Sequence, residues 1–107
     1  MYNYKELYII DFTKVEYYSD VHKIIAEALD FPEYYGGNMS ALWDSLTDML
    51  GRPINIKMLG FDKLQEKFKS IADKILKLFE RLKSYDNGRY AHEINVTVCY
   101  DNKEMNI

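Results

Sequence analysis

Three short runs rich in β-forming residues, Leu7–Phe12, Ile54–Leu59 and His92–Tyr100, are separated by stretches whose apolar residues recur at the helical period. This alternation constrains the fold more than any other feature of the chain. Strands joined through helices are parallel, with right-handed crossovers. In the last run Ile94, Val96, Val98 and Tyr100 alternate with Asn95, Thr97 and Cys99. One sheet face is therefore expected to be wet. In the second run Ile54, Ile56 and Met58 share a face. A sheet that is apolar on one side takes helices on that side only. The expected architecture is a two-layer α/β domain, a three-stranded parallel sheet with three or four helices packed on one face.

Local signals place the helices. Ser19 offers an N-cap, and Asp20 suits the positive end of a helix dipole. Val21, Ile24, Ile25, Ala28 and Leu29 then form one apolar face, and Pro32 disfavours helical angles before it. Asn38 caps a second helix, whose apolar positions are Met39, Leu42, Trp43, Leu46, Met49 and Leu50. Gly51 and Pro53 close it. From Phe61 to Tyr85 the helical pattern runs without Gly or Pro. It reads as one long helix, or as two joined near Lys69–Ser70. Asp86-Asn87-Gly88 is a turn. One domain spanning residues 1–107 is expected, with an ordered core over about 7–100 and a polar, frayed tail over 101–107.

Charge is divided unevenly. Between Ile24 and Gly51 stand Glu27, Asp30, Glu33, Asp44 and Asp48, with no Lys or Arg. The basic residues of the second half alternate with acids at helical spacing, as on a solvated helix face. With a net charge of −3 and no cluster of Lys and Arg, nucleic-acid binding is not expected. The one cysteine, Cys99, excludes an internal disulfide. His22 and His92 lie on different elements with no ligand partners at metal spacing, so neither a metal nor another cofactor is expected. No nucleophile–base pair or phosphate loop is visible, and the chain is not expected to be an enzyme. The N-terminus lacks the pattern of a signal peptide and no stretch reaches membrane-spanning length. A cytoplasmic location and no membrane partner are the expectation.

The segment Pro32–Thr47, PEYYGGNMSALWDSLT, combines a tyrosine pair, a Gly-Gly turn, a helix cap and an outward carboxylate. Its residues Pro32–Gly36, Asn38, Ala41–Asp44 and Leu46–Thr47 resemble the signature of the barstar family, intracellular inhibitors of the secreted ribonuclease barnase. The resemblance extends through Ser19–His22, Pro53, Phe79 and the final β run, roughly residues 8 to 98, but its specificity lies in Pro32–Thr47. It implies a small parallel sheet with helices on one side. It also implies that the second helix and the loop before it plug the cationic cleft of a ribonuclease or similar basic toxin. A 1:1 complex and a monomer when free are expected.

By resemblance, Tyr34, Asn38, Trp43 and Asp44 match contact positions, with Asp44 the deepest. Three positions depart from the family pattern. Ser40 stands in place of a second contact aspartate. Met49 replaces a contact tryptophan, beside Asp48 in place of a glycine. Arg81 falls at a contact glutamate, with Glu80 adjacent. Ser40, Asp44 and Asp48 lie at i, i+4 and i+8 and so share a stripe. The expected partner-binding set is Tyr34, Asn38, Ser40, Trp43, Asp44, Asp48, Met49 and Glu80. Each has a plainer role open to it: Asp44 and Asp48 as solvated carboxylates, Asn38 as a cap, Trp43 as half core. A barstar-like module with a non-nuclease partner is the alternative function, supported by the acids missing at Ser40 and Arg81.

Overall fold

The computed structural model describes residues 6–32 and 36–107. Glu33, Tyr34 and Tyr35 lie outside the described residues, and with them the expected tyrosine contact. The elements run β1 (Tyr8–Asp11), α1 (Tyr18–Ala28), α2 (Met39–Asp48), β2 (Ile54–Leu59), α3 (Phe61–Lys67), α4 (Lys69–Gly88), β3 (Ile94–Cys99) and β4 (Glu104–Asn106). A single 3-10 turn, Ala91–Glu93, leads into β3.

The strands β1, β2 and β3 pair in parallel, with Ile10 opposite Met58 and Ile56 opposite Val96. Their inward residues Tyr8, Ile10, Ile54, Ile56, Met58, Ile94, Val96 and Val98 are all buried. The opposite face carries the exposed Ile9 and Asn95, and the half-buried Asn55, Lys57 and Thr97. The two-layer α/β expectation therefore holds, because strict alternation leaves only one face worth covering. Buried side chains of all four helices join the same core cluster.

The tail corrects the expected sheet. It is not frayed but adds a fourth strand, β4, antiparallel to β3. A turn makes this possible: the Tyr100 N–H donates to the Lys103 carbonyl at 2.8 Å. Thr97 Oγ1 donates to Asn106 Oδ1 at 2.9 Å, the Ile107 N–H reaches the Val96 carbonyl at 3.0 Å, and Lys57 Nζ pairs with Glu104 at 3.3 Å. Backbone pairing needs no apolar pattern, so a polar tail can supply it.

Helix boundaries shift for identifiable reasons. The α1 helix begins at Tyr18, so Ser19 lies within its first turn rather than capping it. The Asp20 carboxylate accepts the Tyr17 N–H at 2.9 Å and takes up that end. At the other end Asp30 adopts φ 56° and the Phe31 N–H returns to the Ala26 carbonyl at 2.9 Å. That left-handed residue closes the helix before Pro32 acts. The Phe61–Tyr85 stretch is two helices, broken at Phe68 (φ −140°, ψ 63°). Phe68 lies partly buried against the core, edge-on to Tyr18 with ring centroids 5.7 Å apart. Asp86 and Asn87 take left-handed angles, as the Asp-Asn-Gly turn requires.

Gly60 connects β2 to α3 at φ +65°, and a Cβ there would lie 2.6–2.8 Å from Thr13 side-chain and backbone atoms. This close approach locks the end of β1 to the end of β2, where the Phe12 N–H bonds the Leu59 carbonyl at 2.9 Å. No helix among the described residues is long and apolar enough to cross a membrane.

Candidate functional site

The α2 helix is held by its inner face. Leu42 and Leu46 are fully buried, and Met49, at its C-cap, is 2% exposed. Its start is set by Asn38, whose Oδ1 accepts the Ala41 N–H at 2.8 Å. The expected cap is thus in place, and Asn38 remains exposed at the helix mouth. Met49 is a correction to the expected contact set. A thioether enclosed by the core cannot reach a partner without unpacking α2.

The outward stripe forms as expected. Ser40, Asp44 and Asp48 are all exposed along α2. The Asp44 carboxylate makes no hydrogen bond or ion pair among the described residues, although its backbone carbonyl accepts Thr47 Oγ1 at 2.9 Å. A carboxylate held on a packed helix and left unpaired is a ready acceptor for an external donor.

Beyond this stripe lies α4. Met39, Ser40, Trp43 and Asp44 form one wall of an open cleft of about 500 Å³, and Lys74, Lys77, Leu78 and Arg81 form the other. The Arg81 guanidinium sits over the Trp43 ring, 4.7 Å from its centroid. Trp43 is half-buried and also meets Tyr85 edge-on at 5.8 Å, and Tyr85 stacks on Tyr90 at 6.4 Å. Trp43 therefore serves both as packing and as an exposed platform. Glu80 is exposed on the same helix and lines the neighbouring depression with Trp43, Lys77 and Arg81.

Of the cationic row on α4, the resemblance marks only Arg81 as falling at a contact position. Lys74, Lys77 and Arg81 follow the i, i+3, i+7 spacing of one helix face, which was legible in the chain. Local pattern does not show that this face borders Asp44. Sequence separation hides the pairing, and only the packing of α2 against α4 brings the two charge types together. The surface is consequently mixed in sign rather than uniformly acidic.

The groups with nucleophile or base chemistry lie elsewhere. Burial pushes the Cys99 thiol up, with Glu104 beside it adding to the effect, so it is protonated near neutral pH and a poor nucleophile. Burial lowers His22, which belongs to α1. Among the described residues no group of three or more His, Cys, Asp or Glu is placed to hold a metal ion.

Comparison with known proteins bears on the family of the chain. The sequence model of the family described as "Barstar (barnase inhibitor)" matches residues 6–99. A Bacillus subtilis (strain 168) protein named "Putative ribonuclease inhibitor YrdF" is similar to the chain, 35% identical over 72 residues. That alignment covers 67% of this chain and 79% of the relative. With a family match that takes in β1 through β3 and every helix between them, the chain belongs to the barstar family.

Proposed function

We propose that the protein is a stoichiometric inhibitor of a basic ribonuclease, an immunity protein acting in the cytoplasm, and that α2 is the element that enters the enzyme. The observation that carries this reading is the Asp44 carboxylate, unpaired among the described residues, at the centre of an exposed stripe on a helix fixed by Leu42, Leu46 and Met49. A ribonuclease cleft is cationic because it must hold RNA phosphates. A rigid carboxylate substitutes for a phosphate and accepts charge-assisted, often bidentate, bonds from Arg. Because α2 is already capped and packed, little ordering is required on docking. Opposed charge also accelerates encounter.

Within this reading Asn38, Ser40 and Asp48 surround Asp44, Trp43 and Glu80 form the rim, and Tyr34 joins from the preceding loop by the family resemblance. The complex is 1:1, formed from a monomer, and the protein performs no turnover. The test is inhibition of a panel of small basic ribonucleases, barnase included, by the purified protein. Asp44→Ala is expected to weaken the tightest complex by about 2–5 kcal/mol, the usual cost of unpairing a buried interfacial charge and a range to which the barnase–barstar pair itself contributes. Association should slow as salt rises. If no ribonuclease is inhibited, or if Asp44→Ala inhibits as well as the native protein, this reading fails. Capture of a non-nuclease protein through the same helix would replace it with a scaffold function.

A further inference from the structure

The α2–α4 cleft carries more positive charge than inhibition of a cationic enzyme calls for. Its lining holds Lys74, Lys77 and Arg81 against a single acid, Asp44, in a chain whose net charge is −3. All three cations are exposed, and none forms a salt bridge among the described residues. Arg81 is further constrained, since its guanidinium sits over the Trp43 ring, 4.7 Å from the centroid. Exposed and in no ion pair among the described residues, the guanidinium keeps N–H donors for a carboxylate, whose geometry its planar fork matches.

We propose that this cleft is a specificity site that takes an acidic side chain of the ribonuclease partner, an Asp or Glu carboxylate seated between Lys77 and Arg81 beside the Asp44 contact. The proposal rests on the inhibitor reading and adds to it the charge pattern of the partner: a cation for Asp44, and an anion next to it for Arg81. Each protein then presents both signs, and a uniformly basic cleft is rejected by repulsion from Arg81. A nucleic acid is the poorer occupant. Its repeating phosphates would have to pass Asp44 in the cleft wall and Glu80 in the adjoining depression, both exposed.

The experiment uses the ribonuclease of the panel that the native protein inhibits most strongly. Charge reversal at Arg81→Glu is expected to raise its inhibition constant at least tenfold, Lys77→Glu somewhat less, and Arg81→Lys least of all. A scan of Asp→Lys and Glu→Lys changes on the enzyme should contain one that restores inhibition by Arg81→Glu. These surface variants are checked for an unchanged thermal midpoint. If Arg81→Glu inhibits as well as or better than the native protein while Asp44→Ala is defective, the cleft proposal falls and the inhibitor reading stands. If Arg81→Glu is defective and no enzyme change restores it, the acidic occupant is wrong. If the native protein binds a single-stranded RNA oligonucleotide and Arg81→Glu does not, the occupant is phosphate and the proposal is overturned. If Asp44→Ala inhibits as well as the native protein, the inhibitor reading fails, and the cleft proposal, which seats its carboxylate beside the Asp44 contact, fails with it.

Discussion

Asn38 and Trp43 each have two duties, and both can be separated by substitution. Asn38 satisfies the Ala41 N–H at the start of α2. Asn38→Ala removes that acceptor and is expected to lower stability by about 1 kcal/mol, read as a shift in the urea midpoint. Asn38→Ser keeps a capping oxygen and should restore most of it. Any loss of inhibition that persists in Asn38→Ser then belongs to partner contact alone. If Asn38→Ala unfolds at the native midpoint, the cap has been overvalued. Trp43 was readable as half core from its helical spacing. Its second neighbour, Arg81, was not, because a residue 38 positions away on another helix leaves no mark on local pattern. Met49 shows the opposite error. Resemblance placed it among contacts, whereas its apolar spacing with Leu42 and Leu46 placed it in the core, and packing agrees with the spacing.

At the scale of elements, boundaries set by side-chain chemistry were legible and those set by packing were not. Ile54–Leu59 is a strand over the span its alternation indicates, and Asn38 caps α2 as its type suggests. The break at Phe68 has no Gly or Pro to announce it. Leu64 and Ile71, seven residues apart, would share one face of an unbroken helix, so the apolar period does not reveal the break, where Phe68 meets Tyr18 edge-on. Gly60 has the converse status: visible as a glycine, but its necessity depends on Thr13 from a distant loop. Gly60→Ala combines a left-handed φ with a Cβ set 2.6–2.8 Å from Thr13 atoms. It is expected to cost about 2–4 kcal/mol, summing backbone strain and overpacking. Denaturant unfolding measures this, and a loss below about 1 kcal/mol would show that Thr13 yields freely.

For the whole molecule, the sheet edge is the feature that composition concealed. The polar tail covers β3 through β4, and Ile107 packs against the core. Deleting residues 101–107 removes these backbone bonds and exposes the β3 edge. A loss of about 1–3 kcal/mol is expected, together with concentration-dependent association through the bare strand, read by thermal melting and light scattering. An unchanged midpoint would mean that β4 contributes no stability. The sequence by itself determined the two-layer α/β class, the inward faces of β2 and β3, the cap of α2 and the outward Ser40–Asp44–Asp48 stripe. These follow from period and residue type, which act within a few residues. Tertiary structure alone decided the Phe68 break, the fourth strand and the cationic wall opposite Asp44. Each depends on which distant segments meet, and that is settled by the shared packing of the core rather than by any local preference.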